Sequence, residues 1–191
     1  LSERKASWSG SKDALIRGYK PSLENIIKMK KNVIASVPGP AAGIGAALAM
    51  SCDLRVMSED SYLLSVFSNI ALVPDGGLSW FLPKFMGYAK AYEHAIEAKK
   101  ILASDCLKYG IANKVVPSDQ LEQITLDWAN QLAKRSSQSL NHTKRLMRES
   151  LAMSYWDTFS NEAEIQNELT VSDQNREAVK AFLEKREPNF D

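Results

Sequence analysis

Cysteine and histidine are scarce in these 191 residues: Cys52 and Cys106, His94 and His142 are the complete set. The cysteines stand far apart with no CxxC spacing, which suits a reducing compartment and excludes a zinc ribbon. The histidines cannot form an HExxH pair, so a metal or redox enzyme has no ligand set to start from. Charge of either sign is not in excess. Lys and Arg number 24 against 23 Asp and Glu, a net of +1, which advertises neither nucleic acid nor an anionic membrane. No GxSxG is present to build a nucleophile elbow. Ser9-Gly10-Ser11-Lys12 fits SxxK by chance, since the SDN and KTG partners are missing. The opening run SERKASWSGSK has no apolar segment, so it is no signal peptide and reads as the interior of a longer chain whose start is missing. A composition of 45% hydrophobic and 25% charged residues excludes disordered, collagenous and disulfide-scaffold classes.

Long uncharged runs are equally rare. The one from Val33 to Cys52 contains the GxxxG of Gly39 and Gly43, yet Pro38-Gly39-Pro40 would break a spanning helix and Gly43 and Gly45 loosen it further. It is better read as strand, turn and buried helix. Val33–Val37 is a β-branched run stopped by Pro38, and Gly43–Met50 reads as a tight turn entering an apolar helix. Asp53–Met57 and Ser61–Phe67 are two further strand-like runs separated by Ser58-Glu59-Asp60, so strand, helix and strand suggest an α/β crossover. Ahead of them, Ser11–Lys31 has a broken helical pattern around Pro21. After Pro74-Asp75-Gly76-Gly77 the period becomes helical, with Leu78, Phe81, Leu82 and Phe85 on one face, ended by Pro83 or Gly87. Tyr88–Lys100 predicts a second helix, Ser104-Asp105 caps a short one closed at Gly110, and Asn113–Val116 is a strand. Beyond Pro117 the pattern is helical throughout. The expected organisation is α/β, with an α/β core over 1–116 and a helical region over 117–191.

Two places could carry chemistry. Gly43-Ile44-Gly45 starts a GxG, but Leu48 stands where GxGxxG needs its third glycine, which argues against a dinucleotide site. A glycine turn opening a helix still points free backbone N–H groups at whatever precedes it, a place for an anion or a developing oxyanion. Close helix–strand packing would select the same small residues. Asp75 is the second place. It either caps the following helix, or serves as a carboxylate base in an apolar cleft formed by Ile70, Leu72, Val73, Trp80 and Phe81, where burial would raise its pKa. His94 and His142 have surface or packing roles by default, and the methionines Met50, Met57, Met86, Met147 and Met153 read as core or interface fillers.

Val33–Leu54 (VIASVPGPAAGIGAALAMSCDL), Ile70–Gly87 (IALVPDGGLSWFLPKFMG), Ala103–Pro117 (ASDCLKYGIANKVVP) and Phe182–Phe190 (FLEKREPNF) together resemble the crotonase superfamily of acyl-CoA hydratases and isomerases. The blocks are in order and compatibly spaced from Val33 onward. The resemblance implies a spiral of ββα units followed by a helical trimerisation region, with the first strands and the first oxyanion-hole residue ahead of Leu1. It puts the second oxyanion-hole amide at Ile44, after Gly43. The two hydratase glutamates fall at Ala47 and Phe67, and neither carries a carboxylate. Asp75 matches the acid/base aspartate of some isomerases, including those of epoxide-derived aryl-CoA substrates, and the nucleophile of some dehalogenating relatives.

Hydration needs one group to activate water and another to deliver a proton, whereas migration of a double bond needs a single base. The expectation is therefore an enoyl-CoA isomerase working through an enolate, with Asp75 as base and the Ile44 N–H as oxyanion donor. Gly43, Ala47, Phe67, Trp80, Phe182 and Lys185 would contact the acyl-CoA, Phe182 and Lys185 at its nucleotide end. Hydratase, thioester hydrolase or dehalogenase activity, or a non-catalytic acyl-CoA-binding relative, are the alternatives. No metal and no cofactor beyond the coenzyme A of the substrate are expected. A homotrimer or dimer of trimers is expected, with Trp128, Leu132, Trp156 and Phe159 as its apolar surface, in the cytoplasm unless an organellar address precedes Leu1.

Overall fold

A computed structural model describes residues 10–190. Most of the polar opening run, including Ser9 of the SxxK match, lies outside the described residues. Packing divides the chain into two units. The first holds the described residues up to Met29 together with Val33–Thr125, and the second holds Lys30–Asn32 and the residues from Leu126 on.

The first unit opens with helix α1 (Ser11–Asp13), a π-helical stretch over Ala14–Tyr19 and α2 (Lys20–Lys28). Pro21 near the start of α2 has no N–H to donate back, and the wider π turns directly precede it. Then follow β1 (Ile34–Val37), β2 (Pro40–Ala42), α3 (Ile44–Ser51), β3 (Leu54–Ser58) and β4 (Tyr62–Leu64). After a 3₁₀ turn at Phe67–Ile70 come α4 (Leu78–Met86), α5 (Tyr88–Ile96), β5 (Lys100–Leu102), α6 (Ala103–Lys108) and β6 (Lys114–Val116). The expected crossover is present. β1 and β3 pair in parallel, Ile34 opposite Leu54 and Val37 opposite Met57, with α3 between them in sequence. β6 joins β3 in parallel to give the order β1-β3-β6.

A second sheet, ordered β2-β4-β5, contains two strands that local pattern does not reveal. β2 begins at Pro40, a residue that cannot donate to a ladder, and it is tolerated because β2 is an edge strand. β5 occupies the end of the run expected to be helix. α5 stops at Ile96, Ala98 turns left-handed at φ 46°, and Ile101 is then buried opposite Leu63. The strand expected to reach Phe67 ends at Leu64, and Phe67 lies on the 3₁₀ turn. Helix α4 tolerates Pro83 and ends at Gly87. Helix α6 starts at Ala103, one residue before the expected Ser-Asp cap, because β5 runs directly into it and Ala103 N–H is bonded to Ser61 O at 3.1 Å.

One core joins these elements. α3 packs Ala46, Ala47, Ala49 and Met50 against Met57, Leu63, Phe81, Leu82 and Ile111. The buried cation of that core is Arg55, whose guanidinium donates to Cys52 O at 2.7 Å, Ala49 O at 3.2 Å and Ile111 O, closing the carbonyl end of α3. Among the methionines, Met50, Met57 and Met86 are buried, while Met147 and Met153 are exposed.

The second unit is helical: most of α7 (Leu121–Ala133), then α8 (Ser137–Ser150), α9 (Tyr155–Thr170) and α10 (Asp173–Glu184). Ser136, Ser154 and Ser172 each cap the helix that follows. No helix among the described residues is long and apolar enough to cross a membrane.

Candidate active site

Helix α3 starts on Gly43, at φ 53° and ψ −121°, a left-handed backbone that favours glycine. Gly43 N–H is bonded to Leu64 O at 3.0 Å, which ties the turn to the end of β4, and Gly43 O accepts from Ala47 N at 3.1 Å. Ile44 is therefore the first helical residue, and its N–H has no carbonyl of its own helix to reach. A Cβ built on Gly43 would lie 3.7 Å from the Phe67 ring, so Gly43, Ile44 and Phe67 meet in one place.

Asp75 stands on the loop between the 3₁₀ turn and α4. The capping role is not the one it takes. Gly77 is the N-cap of α4, no side chain caps that helix, and Asp75 is bonded to Leu78 N only through its backbone carbonyl, at 3.0 Å. Its Oδ1 is shut away from solvent without a hydrogen-bond partner in the protein. Burial raises the carboxyl above the ordinary aspartate value. The surroundings differ from the expected cleft. Ile70, Leu72, Val73 and Trp80 are exposed and only Phe81 is buried, so four of the five residues face solvent instead of closing a cleft over the half-buried carboxylate. Ala71 at φ 55° ends the 3₁₀ turn and sends the chain outward there. The Trp80 ring carries the Lys84 ammonium 4.6 Å from its centroid and meets Phe81 edge-on at 4.9 Å.

Ala47 is fully buried and Phe67 is 7% exposed, so both positions are filled by packing. Ala47 also supports the Asp75 loop. A Cβ built on Gly76, whose φ is +60°, would fall 2.5 Å from Ala47 Cβ and 3.2 Å from Ile44 Cδ1. The loop carrying Asp75 is thus seated on the first turn of α3, a contact visible in sequence only as the paired glycines after the aspartate. Sequence reasoning also passed over Ser65 and Ser68. Their buried hydroxyls flank Phe67 and have no partner within the protein. No group of metal-ligating side chains occurs among the described residues. Cys106 is buried, with its thiol pushed up to about 12 first by burial and then by Asp105, which leaves it without nucleophilic thiolate at neutral pH.

An open groove of about 730 Å³ runs along β1, β2 and α3, lined by Ala35, Val37, Pro40, Gly45, Leu48 and Cys52 among others. None of the expected site residues lines it. Phe182 and Lys185 belong to the second unit, at the end of α10. Phe182 is 82% exposed, and Lys185 closes the helix in a left-handed conformation at φ 54°. The ion pairs of that end run through Arg186, to Glu184 at 2.7 Å and Glu177 at 2.7 Å.

The model of a family described as enoyl-CoA hydratase/isomerase matches residues 3–191. The chain belongs to that family, within the crotonase superfamily. It is 35% identical over 172 residues to a Rhodobacter capsulatus protein named "Probable enoyl-CoA hydratase", covering 90% of this chain and 67% of that one. It is 30% identical over 174 residues to the 1,2-epoxyphenylacetyl-CoA isomerase of Escherichia coli, covering 91% of this chain and 66% of that protein. Among solved structures, an enoyl-CoA hydratase from Polaromonas superposes with a TM-score of 0.88 at 30% identity, over 91% of this chain and 68% of its own. The chain thus spans about two thirds of the relatives it matches, and the α/β crotonase fold is established for it.

Proposed function

We propose that this family member is an enoyl-CoA isomerase that moves a double bond by proton transfer between carbons of the thioester. The observation that carries the proposal is the Asp75 carboxylate: half-buried, with Oδ1 closed to solvent, bonded to no donor in the protein and not engaged as a helix cap. A carboxylate kept for structure would use its oxygens. One with raised basicity and an uncommitted oxygen is suited to taking a proton at one carbon and returning it at another. The absence of a carboxylate at Ala47 and at Phe67 supports isomerisation over hydration, because water addition needs a second acid/base group.

The enolate formed beside the carbonyl needs its charge held. The Ile44 N–H, free of intrahelical partners at the start of α3, is the donor this chain contributes, and losing one such donor costs other enzymes about a hundred- to a thousand-fold in rate. In this reading Gly43, Phe67 and Trp80 border the acyl-CoA, and Ala47 stands behind the first turn that presents the donor. Phe182 and Lys185 meet the nucleotide end of coenzyme A, and the active assembly is a homotrimer or a dimer of trimers.

Asp75→Asn tests the assignment. It keeps the volume and removes the base, so conversion of 3-enoyl-CoA to 2-enoyl-CoA, and exchange of α-protons in deuterated water, should each fall about a hundred-fold or more. Acyl-CoA affinity should change far less. Wild-type rates of both processes in Asp75→Asn would remove Asp75 as the base.

A further inference from the structure

Gly76 sits so close to the first turn of α3 that no side chain fits between them. A Cβ on Gly76 would approach Ala47 Cβ to 2.5 Å, well inside van der Waals contact, and would also crowd Ile44 Cδ1 at 3.2 Å and touch Leu23 Cδ1 of α2 at 3.9 Å. Ala47 in turn is fully buried, so its methyl has nowhere to retreat. Closely packed parts of this kind have few alternative arrangements, and bulk added on either side must move the loop. The residue next to Gly76 is Asp75, and the residue on α3 beside the contact is Ile44.

We propose that the Ala47–Gly76 contact is the positioning device of the site: the small residue at 47 and the glycine at 76 together set where Asp75 stands relative to the Ile44 amide. Ala47 is then a positioning residue: it is fully buried, so bulk added to it has to displace a neighbour, and the Gly76 seat of the Asp75 loop is the neighbour it already touches. The inference deepens the isomerase reading and rests on it for the catalytic consequence, whereas the geometric part is independent of it.

The experiment is a mutant cycle on the full chain with two readouts, the Asp75 carboxyl titration followed by carbon NMR and α-proton exchange of an acyl-CoA in deuterated water. Gly76→Ala should bring the Asp75 titration back toward the ordinary aspartate range as the loop lifts, with exchange reduced about ten-fold or more. Gly76→Ala combined with Ala47→Gly removes the methyl 2.5 Å away but keeps the strain of a side chain at φ +60° and the approach to Ile44 Cδ1 at 3.2 Å, so it should recover part of both losses. Ala47→Ser adds one atom from the helix side and should move both readouts in the direction of Gly76→Ala, which keeps the test available if Gly76→Ala does not fold. Ala103→Gly, an equally buried alanine on α6, should lower thermal stability without moving the Asp75 titration. Unchanged Asp75 titration in both Gly76→Ala and Ala47→Ser overturns the proposal, as does a double variant no closer to wild type than Gly76→Ala. The NMR readout reports position whether or not Asp75 is the base, so its failure is separable from a failure of Asp75→Asn.

Discussion

Asp75 has a folded-state pKa above 3.8, and burial is the cause. Between 3.8 and the raised value the native state binds more protons at this group than the unfolded chain does, so stability falls as pH rises across that window. The favourable contribution is fully present below 3.8 and is gone once pH passes the raised value. Asp75→Asn cannot ionise, so relative to the native protein it should gain stability on going from pH below 3.8 to neutrality. Urea midpoints of the two proteins at those two conditions check the sign, and a constant difference would contradict it. The proposed base role needs the opposite form, ionised, so under that proposal isomerisation should climb with pH through the same raised value. Opposed demands on one carboxylate, protonated for stability and ionised for turnover, are what a partly desolvated functional group imposes.

Helix starts differ between the two units. Ser136, Ser154 and Ser172 accept hydrogen bonds from Ser139 N at 3.1 Å, Asp157 N at 3.2 Å and Asn175 N at 3.1 Å. Ser→Ala at any of them should cost about 1 kcal/mol. Ser136 and Ser154 should be more costly than Ser172, because their hydroxyls also donate, to Gln174 Oε1 at 2.7 Å and to Asp157 Oδ2 at 2.6 Å. Denaturant unfolding of the three variants checks both the size and the order. Helices α3 and α4 begin instead on Gly43 and Gly77, with no side-chain cap. A side-chain cap bonds the third N–H of its helix, as at Ser136, Ser154 and Ser172, so doing without one costs α3 and α4 some stability, while the Ile44 amide, the first of α3, has no intrahelical partner with or without a cap.

At the scale of the whole molecule, α9 exposes Tyr155, Trp156 and Phe159 as a connected aromatic group, with ring centroids 5.0 Å apart for Tyr155–Trp156 and 6.0 Å for Trp156–Phe159. Leu151, Met147 and Met153 are exposed in the same unit. Apolar patches of this kind mark association surfaces. The proposed trimer should therefore be seen for the wild type by sedimentation equilibrium and lost in Trp156→Asp/Phe159→Asp; a wild-type monomer would contradict it. Trp128 and Leu132, expected on the same surface, are half-buried within α7. Lys185→Ala should raise the apparent KM for the CoA ester with little change in kcat, the pattern of lost uniform binding. An unchanged KM at low salt would remove Lys185 from the nucleotide end.

The sequence by itself determined the α/β class, the β1-α3-β3 crossover, the glycine-opened helix and Asp75 as a candidate group, while the choice of Ile44 within the glycine turn came from the family resemblance. All but that choice are written in local spacing: β-branched runs, a proline stop, glycines at a helix start, an aspartate before paired glycines. Tertiary structure decided what local spacing cannot express. β2 and β5 are strands because β4 lies between them to share hydrogen bonds, and Pro40 and Lys100 have no such preference of their own. Asp75 has the composition of a cap and does not cap, since Gly77 takes that position. Ala47 marks a missing glutamate in sequence and carries the seat of the Asp75 loop in the fold, 29 residues away along the chain. Contacts at that separation depend on how three helices and two sheets are packed, so only the folded chain sets the distance that gives the carboxylate its place.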